Sequence, residues 1–456
     1  YECDGLSAYR RLPWLVLLPE TVPQIQRILR QCHDRGMPVV ARGAGTGLAG
    51  GALPHEQGVL LVLSRFNRIL ELDPENRTAR VQPGVRNLAI SEAAAEHGLY
   101  YAPDPSSQIA CSIGGNVAEN AGGVHCLKYG LTVHNVTGIE LITLDGEVLR
   151  LGGATLDMPG YDLLALLNGS EGLLGVITEV SVRLLPKPPR ARVVLAAFDD
   201  LGRAGDAVAK IISAGLLPAG LELMDQLAIR AAEDFVHAGY PVDAAALLLC
   251  ELDGDPAEVE AGIERVSALL HEVGAIEVRP ARDEAERLRF WAGRKAAFPA
   301  VGRISPDYYC MDGTIPRHRL GEVLATIARW SEEYGLRVAN VFHAGDGNLH
   351  PLILYDANRP GELERTEAFG ARILELCIAV GGTITGEHGV GMEKIDQMCV
   401  QFSKAELEQF HALRRAFDPE GLLNPGKAVP TLARCAEFGR MHVHDGKLPF
   451  PELERF

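Results

Sequence analysis

A run of small residues between two short apolar segments constrains the fold of this chain more than any other feature. The run extends from Gly43 to Gly51, and its Gly45, Gly47 and Gly50 match the pattern G-x-G-x-x-G. In a dinucleotide-binding turn of the Rossmann type, that pattern opens a helix. Here Pro54 follows and another apolar strand begins soon after. The sequence therefore predicts a glycine loop between two strands, whose backbone N–H groups can cradle a pyrophosphate.

The elements on either side of this loop follow from local patterns. Apolar residues at helical spacing predict a helix over 23–35, and Gly36 ends it. Short strands are expected over 38–42 and 59–63. The loop therefore has a strand on each side and no helix directly after it.

Two further clusters of small residues follow in the same half of the chain. Ser112 to Gly123 comes after Pro103 to Ser106, and Gly169 to Ile177 precedes a strand predicted over 179–185. An alternating strand is predicted between the two clusters, over 136–144. Glycine lets a ligand approach the backbone closely. The first half of the chain therefore offers three places at which exposed backbone can line a long ligand.

Two histidines in the second half lie at the ends of neighbouring apolar segments. His343 ends one segment and His350 opens the next, which predicts a β-hairpin with a histidine on each strand. Facing residues of an antiparallel pair have Cβ atoms about 4.5–5.5 Å apart, so both imidazoles can reach one cation. Glu387, after a predicted helix that Gly381 ends, would be the third ligand. Two histidines and a carboxylate with open positions indicate a catalytic metal site.

Composition narrows the class of protein. The chain has 456 residues, 47% of them hydrophobic, which exceeds one comfortable core and predicts two domains. A formal net charge of -16 disfavours nucleic acid and anionic membrane surfaces as direct partners. No apolar stretch is long enough to insert directly into a membrane. We therefore expect a cytoplasmic protein, peripheral at the inner membrane only if partner subunits hold it there.

The cysteines indicate a reducing compartment. There are nine, scattered along the chain without a C-x-x-C pair. We expect reduced, mostly buried thiols, and no iron–sulfur cluster in this chain.

Motifs from both halves together resemble one known family. They are Pro38–Gly51, Asp104–Ser106, Ile113–Asn116, Gly169–Gly172, Phe342–His350, Gly386–Gly391 and Leu423–Lys427. They cover nearly the whole chain in order, and the chain is similar to FAD-linked oxidases of the vanillyl-alcohol oxidase type. Within that family it most resembles glycolate oxidase D subunits and the D-lactate and D-2-hydroxyglutarate dehydrogenases. The resemblance implies an α+β fold: a PCMH-type FAD-binding domain of two α+β subdomains and an α+β cap domain with an antiparallel sheet.

The resemblance also implies a noncovalent FAD site. Relatives with flavin bound through histidine carry that histidine in the glycine loop, where this chain has Thr46. The implied FAD-binding residues are Arg42, Gly43, Ala44, Gly45, Thr46, Gly47, Leu48, Pro103, Asp104, Pro105, Ser106, Gly114, Gly115, Asn116, Glu119, Asn120, Gly123, Gly130, Glu171, Gly172, Gly175, Ile177, Glu387 and Asn424.

Oxidation of a 2-hydroxy acid requires removal of the hydroxyl proton while a hydride leaves C2 for the flavin. One divalent metal, zinc or manganese, on His343, His350 and Glu387 would lower the pKa of that hydroxyl. His388, which follows a ligand directly in the chain, is the candidate base. The family resemblance assigns these same roles.

Other residues are predicted to contact the substrate. By resemblance to the family's W-x-x-R segment, Arg294 would bind the substrate carboxylate. Tyr308 and Tyr309 either close the pocket or pack ordinarily. Asn348, in the hairpin turn, is a further candidate for a substrate contact.

Strand alternation bears on the size of the substrate. If His350 points into the pocket, so does Leu352, two residues on. Phe298, one turn after Arg294, is also apolar. These residues favour glycolate or D-lactate over a dicarboxylate such as D-2-hydroxyglutarate.

Domain boundaries follow from Pro186–Pro189, a stretch typical of a linker. We expect the FAD-binding domain over 1–189 and the cap domain with the metal site over 190–416. Residues 417–430 would return to the flavin, and 431–456 would form a docking tail.

Two explanations of a different class stay open. A zinc hydrolase would use the histidines and the glutamate, although it leaves the three glycine clusters unexplained. A subunit that only relays electrons through its flavin would not need Glu387 or His388. The sequence does not specify the electron acceptor, and the resemblance implies a second flavin-type subunit with an iron–sulfur subunit, or a quinone.

Overall fold

Helices and strands alternate along the chain in the computed structural model, which describes residues 1–155 and 159–437. The strands of the amino-terminal region are β1 (Leu15–Leu17), β2 (Val39–Arg42), β3 (Val59–Val62), β4 (Ile69–Asp73), β5 (Thr78–Val81), β6 (Leu99–Tyr100), β7 (Val136–Ile142), β8 (Val148–Gly152), β9 (Val176–Arg183) and β10 (Leu185–Pro186). Its helices are α1 (Val22–His33), α2 (Asn87–Ala94), α3 (Ile113–Glu119), α4 (Cys126–Tyr129), α5 (Thr132–Asn135) and α6 (Leu163–Leu167).

The strands of the central region are β11 (Arg190–Phe198), β12 (Gly220–Asp225), β13 (Ala246–Gly254), β14 (Glu277–Pro280), β15 (Asp307–Cys310), β16 (Val338–Phe342) and β17 (Pro351–Tyr355). Its helices are α7 (Leu201–Ser213), α8 (Gln226–Val236), α9 (Pro256–Val273), α10 (Glu284–Val301), α11 (Leu320–Tyr334) and α12 (Glu362–Ala379). Three more helices follow, α13 (Ile395–Gln401), α14 (Lys404–Phe417) and α15 (Leu432–Glu437). None of the helices in the described part of the chain is long and apolar enough to cross a membrane.

The amino-terminal region contains two larger sheets. Strands β1 and β2 both pair in parallel with β3, and a five-stranded antiparallel sheet has the order β4-β5-β9-β7-β8. Helix α1 confirms the predicted helix and buries Ile25, Leu29 and Cys32, spaced one turn apart. The alternation predicted for the strand at 136–144 was wrong, because β7 lies between β9 and β8 and all its residues are buried.

The second cluster of small residues was predicted to expose its backbone, but part of it forms a helix. Residues Ile113–Glu119 form α3, and the Ser112 hydroxyl accepts the N–H of Gly115 at 3.4 Å. A serine before a short small-residue run is a helix N-cap signal, and this capping contact outweighed the glycine content.

The central region is built on a seven-stranded sheet of order β14-β11-β13-β12-β16-β17-β15, in which every pairing is antiparallel. Side chains of β11 alternate: Val194 and Phe198 pack on the face covered by α7, α9 and α11, while Val193 and Leu195 pack on the face covered by α8 and α10. Because both faces are covered, the central strands are apolar throughout. The predicted α+β class with an antiparallel sheet is confirmed.

Residues after α14 contact the amino-terminal region. Leu423 bridges Val39, and the Asn424 amide donates to the carbonyl oxygens of Gly51 at 3.1 Å and Glu171 at 2.7 Å. The predicted boundaries of the domains, and the return of 417–430 to a flavin, stay predictions.

The expectation that all cysteines are reduced was wrong for two of them. Cys399 of α13 and Cys435 of α15 form a disulfide across 36 positions. Their spacing gave no sign of this, because only the packing of α15 against α13 brings them together. The predicted docking tail lies outside the described residues from 438 onward.

Candidate active site

The two histidines lie where β16 and β17 leave the sheet. Asn340 pairs with Pro351, and His343 bridges Asn348, so the two histidines are diagonal neighbours on one face. Their ring centroids are 5.1 Å apart. The predicted hairpin is confirmed, but the histidines are displaced by two residues rather than directly opposite. Both project on the face of the sheet covered by α8 and α10.

Glu387 completes the cluster. Its Oε1 lies 3.4 Å from His343 Nε2 and 2.9 Å from His350 Nε2. Burial would raise the pKa of Glu387, but the neighbouring His343 and His350 hold it well below its usual range. The three predicted metal ligands therefore converge on one point.

Asp312 holds the segment that carries Glu387. Its fully buried carboxylate accepts the N–H groups of Gly386 at 3.1 Å, Glu387 at 3.2 Å and His388 at 2.9 Å. Burial would raise the pKa of Asp312, but its electrostatic interactions with His388 and Lys394 lower it to about 2. This carboxylate fixes the backbone from which two site residues project.

The Nδ1 atoms of His343 and His350 also have partners. His343 Nδ1 lies 2.9 Å from Glu222 Oε1, and His350 Nδ1 lies 3.2 Å from the carbonyl oxygen of Met311. Burial disfavours a charged ring, but Glu222 and Glu387 raise the pKa of His343 well above its usual value. Such contacts orient the Nε2 atoms toward Glu387 and would strengthen them as metal ligands.

His388 stacks on the cluster. Its ring lies nearly parallel to that of His350, with centroids 4.9 Å apart, and its Nε2 is 3.7 Å from Glu387 Oε1. Among the described residues, its Nδ1 has no hydrogen-bond partner. Burial lowers the pKa of His388 to about 4. The ring is therefore neutral near pH 7 and can act as a proton acceptor.

These donors fit a divalent metal. Ligand atoms of Asp312, His350, Glu387 and His388 lie within 4.8 Å of one another. The Asp312 carboxylate already accepts backbone N–H groups and His388 is the candidate base, whereas His343 Nε2 lies 3.4 Å from the same Glu387 oxygen that approaches His350. Two imidazole nitrogens and one carboxylate oxygen, each fixed from behind, are a donor set that zinc or manganese accepts.

A cavity of about 510 Å³ joins this cluster to the glycine loop. His350, Glu387 and His388 lie at one end. The predicted FAD-binding residues that line the cavity are Arg42, Gly43, Ala44, Gly45, Thr46, Gly47, Leu48, Pro105, Ser106, Gly114, Gly115, Asn116, Glu119, Glu171, Gly172, Gly175, Ile177 and Glu387. Because one cavity is lined by both the glycine clusters and the histidines, one binding site can account for both sets of residues. A hydrolase would leave the glycine clusters unexplained.

The other predicted FAD-binding residues lie behind the cavity wall. They are Pro103, Asp104, Asn120, Gly123, Gly130 and Asn424. Asp104 shows the reason: its Oδ2 is 2.7 Å from His125 Nδ1, and His125 Nε2 is 3.3 Å from Glu251 of β13. Like Asn424, it supports segments that line the cavity rather than facing the cavity itself.

Two positions of the glycine loop have no room for a side chain. A Cβ on Gly43 would lie 2.2 Å from Ser112 Oγ. Gly45 has φ +73°, and a Cβ there would lie 2.0 Å from an Arg42 nitrogen. Glu119 Oε2, at the same cavity, is buried without a hydrogen-bond partner among the described residues. Bare backbone and an unsatisfied polar atom fit the binding of a long polar cofactor such as FAD.

Arg294 pairs with Glu222 in the structure, and its predicted contact with the substrate carboxylate stays a prediction. The side chain is only 1% exposed, does not line the cavity, and its Nη2 lies 2.6 Å from Glu222 Oε2. Because α10 covers the sheet, the residue at this helical position faces β12 rather than the cavity. Arg294 therefore acts on His343 through Glu222.

The other predicted substrate contacts on the sheet and its hairpin turn do not line the cavity in the structure. Tyr309 packs on the opposite face from the histidines, and Leu352 is fully buried in the core beneath α10. Tyr308 lines a separate, smaller cavity, while the amide of Asn348 donates to Asp312 at 3.0 Å. Strand alternation correctly predicted that Leu352 lies on the same face as His350. Helix α10 covers Leu352 there, so this side chain does not reach the cavity.

Three residues that shape the site were not predicted: Glu222, Lys295 and Asp312. Glu222 had a signal, since an acidic residue inside an apolar strand requires a buried partner. Lys295 lines the cavity directly after Arg294. No local pattern indicated Asp312, because one of its partners, His388, is 76 positions away.

The chain is similar to known proteins over nearly its whole length. The family model for the C-terminal domain of FAD linked oxidases matches residues 187–428, and that for an FAD binding domain matches residues 13–152. The chain is 70% identical over 456 residues to glycolate oxidase subunit GlcD of Escherichia coli (strain K12), covering 100% of this chain and 91% of that protein. It is 32% identical over 434 residues to a D-lactate dehydrogenase of Anaerostipes hadrus, covering 93% and 91%.

Solved structures share the fold. A 4-ethylphenol oxidase from Gulosibacter chungangensis superposes with a TM-score of 0.78 at 19% identity, covering 94% of this chain and 92% of that one. For p-cresol methylhydroxylase the TM-score is 0.74 at 19% identity, covering 92% and 89%. The predicted PCMH-type fold is thereby confirmed. The chain therefore belongs to the family of FAD-linked oxidases.

Proposed function

We propose that the chain catalyses the FAD-dependent oxidation of a small 2-hydroxy acid, glycolate or D-lactate, to the 2-oxo acid. One observation supports this most strongly: His388 lies against the His343, His350 and Glu387 cluster in a cavity that continues to the glycine loops. The relatives named as a glycolate oxidase subunit and a D-lactate dehydrogenase support the same substrate class.

In this proposal each group of residues has a separate role. FAD, held noncovalently by the glycine loops, supplies the hydride acceptor, and a zinc or manganese ion on His343, His350 and Glu387 supplies a Lewis acid for the substrate hydroxyl. His388, which lines the cavity beside the cluster, accepts the hydroxyl proton. Glu222 holds the ring of His343, so that the cluster is formed before the substrate enters.

Apolar side chains favour a monocarboxylate. The ring of Phe298 lines the cavity, with its centroid 6.2 Å from that of His350, and Pro299 follows it in the wall. A second carboxylate placed against these residues would be desolvated without a partner. D-2-hydroxyglutarate is therefore the weaker candidate.

Electrons must leave the reduced flavin. We propose a second flavin-type subunit with an iron–sulfur subunit, or a quinone, as the acceptor, and a cytoplasmic location at the inner membrane through those partners. The Escherichia coli and Bacillus subtilis relatives are each named as a subunit of glycolate oxidase, which supports partner subunits.

The test is an anaerobic visible spectrum of the metal-replete protein before and after adding each of three acids. We expect glycolate or D-lactate to bleach the flavin, and prior treatment with EDTA to prevent it. Faster bleaching by D-2-hydroxyglutarate would move the assignment to a dicarboxylate. A flavin left oxidised by all three acids would contradict the proposed function, and electron relay would then be the better explanation.

A further inference from the structure

Glu119 lies where the two ends of the cavity meet. It is the last residue of α3, and its side chain lines the cavity. A Cβ on Gly51, at the end of the glycine loop, would lie 2.8 Å from Glu119 Oε1, and one on Gly389 would lie 1.9 Å from Oε2. Gly389 directly follows His388 in the chain. The carboxyl group therefore lies between the glycine loop and the segment that carries the candidate base.

A second carboxyl group, that of Glu171, lies beside Glu119. The same Cβ on Gly389 would lie 3.1 Å from Glu171 Cδ, so the two groups are close neighbours. The oxygens of Glu171 accept the N–H groups of Val390 and Gly391, each at 2.7 Å. Glu119 Oε2, in contrast, is buried without a hydrogen-bond partner among the described residues. Of the two groups, Glu171 is therefore the one whose negative charge the protein stabilises.

Two buried lysines lie nearby, but their donors are used elsewhere. Lys394 donates to a backbone carbonyl oxygen at 2.8 Å and pairs with Glu393 at 3.1 Å. Lys427 donates to two backbone carbonyl oxygens and to Asn424 Oδ1, the last at 2.7 Å. Within the described part of the chain, neither lysine forms an ion pair with Glu119. A buried carboxyl group with neither a counter-ion nor a donor in contact takes up a proton instead of staying charged.

The electrostatic surroundings of Glu119 favour the same protonation state. Burial and the negative charge of Glu171 raise the pKa of Glu119 well above its usual value, and Asp4 acts in the same direction. The positive charges of Lys394 and Lys427 oppose this rise without reversing it. Glu119 is therefore a neutral carboxylic acid with one O–H group to donate.

The position of Glu119 indicates which part of FAD it meets. In the proposed function a hydride passes from the substrate at the histidine cluster to the flavin ring, so the ring has to lie near His388. Because Glu119 lies against the next residue, Gly389, it is placed at the ring rather than at the pyrophosphate. The ring has oxygen and nitrogen atoms that accept hydrogen bonds, and it gains negative charge on reduction.

We propose that Glu119 is a neutral acid that donates a hydrogen bond to the flavin ring and raises its reduction potential, an inference that rests on the proposed function and deepens it. Such a donor binds the reduced flavin more strongly than the oxidised flavin, because its acceptor becomes more negative when the hydride arrives. Removing the donor therefore lowers the potential, whereas removing a negative charge would raise it.

The test measures the midpoint potential of the bound FAD against a reference dye during anaerobic reduction with dithionite, which needs no 2-hydroxy acid. Glu119→Gln keeps a neutral donor of the same size, and Glu119→Leu removes the donor. Glu140→Gln is the matched control, since Glu140 is another buried carboxyl of the amino-terminal region and lies outside the cavity lining. The infrared difference spectrum between oxidised and reduced protein is recorded in parallel for the C=O stretch of a carboxylic acid.

We expect Glu119→Leu to lower the potential by about 30 mV, which is a tenfold change in the two-electron equilibrium of the flavin. Glu119→Gln and Glu140→Gln should each stay within about two-fold of the wild-type equilibrium. The carboxylic-acid band should be present in wild type and in Glu140→Gln, and absent from Glu119→Gln.

Two results for the potential would overturn the inference. A higher potential in Glu119→Gln would show that the carboxyl is ionised, and an unchanged potential in Glu119→Leu would show that it does not contact the ring. If Glu119→Leu retains no FAD, the infrared band decides, because its absence from wild type or its persistence in Glu119→Gln also overturns the inference. A wild-type flavin that dithionite reduces but no 2-hydroxy acid reduces would instead contradict the proposed function.

Discussion

The two ends of the cavity are built in opposite ways. At the glycine loop the chain presents backbone, and the close approach of Gly43 to Ser112 shows that a side chain has no room there. At the other end, His343, His350 and Glu387 project from separate segments and are held by residues that never reach the cavity. Local sequence pattern therefore specifies the first end, whereas the second depends on tertiary packing.

The largest effect is expected at the side-chain end. His388→Asn should retain FAD and metal but slow flavin reduction by substrate by roughly 10²-fold to 10⁴-fold, because His388 is the residue proposed to accept the hydroxyl proton. Anaerobic stopped-flow absorbance measures the rate, and the flavin spectrum with metal analysis serves as the control. Reduction near the wild-type rate would remove His388 from the mechanism.

Glu387→Gln tests the metal cluster itself. Replacing the carboxylate leaves His343 and His350 without the anionic ligand they share, so we expect metal content to fall well below one equivalent while FAD stays bound. Elemental analysis of the purified variant measures this. His388→Asn is the matched control, since it alters the next residue and should keep the metal. Full metal occupancy in Glu387→Gln would show that this carboxylate is not a ligand.

Gly43→Ala tests the backbone end. A Cβ 2.2 Å from Ser112 Oγ forces the loop to move, so we expect FAD affinity to fall about 10-fold or more, with the metal retained. The ratio of flavin to protein absorbance measures the bound cofactor. Gly153→Ala is the control, because its Cβ would meet no heavy atom within 4 Å. Equal FAD content in both variants would contradict the assignment of a close approach at Gly43.

Glu222→Gln tests the support behind the cluster. The variant keeps the size of the side chain but removes the charge between His343 and Arg294, so we expect metal affinity to fall about 10-fold to 100-fold. A metal titration monitored by recovered activity measures the change. Glu140→Gln is the control, as Glu140 is also buried and paired but belongs to the amino-terminal sheet. Equal losses in the two variants would indicate general destabilisation.

The smallest effect concerns the contact between the two regions. Burial disfavours a charged His125, but Asp104 and Glu251 raise its pKa to about 10 from an ordinary value of 6.5. The resulting stabilisation is fully present below pH 6.5 and is lost as the pH rises through 10. The unfolding free energy, measured between these pH values, should therefore decline less in His125→Gln than in wild type. Parallel declines would show that His125 does not link the regions electrostatically.

The two ends of the cavity differ in how much of their structure could be predicted from the sequence. The glycine loop, helix α1 and the hairpin of His343 and His350 follow from short-range patterns, and the structure contains each of them. The substrate contact of Arg294 stays a prediction, and its side chain does not line the cavity, because one position along a helix rotates a side chain by about 100°. The next residue, Lys295, faces the cavity instead.

The disulfide and the contacts of Asp312 could not be predicted either, because their partners lie far apart in the sequence. Cys399 and Cys435 are joined only because α15 packs on α13. The partners of Asp312 are backbone N–H groups that any residues would offer, so no side-chain pattern could mark them.

The sequence by itself determined the family, the α+β class, the glycine loop and the set of candidate ligands, since each depends on residue identity and short-range periodicity. Tertiary structure decided which charged side chains face the cavity and which are held behind it, as with Lys295 and Arg294. The physical reason is that a buried charge needs a partner from another segment. Where that partner lies depends on how the whole sheet and its helices pack.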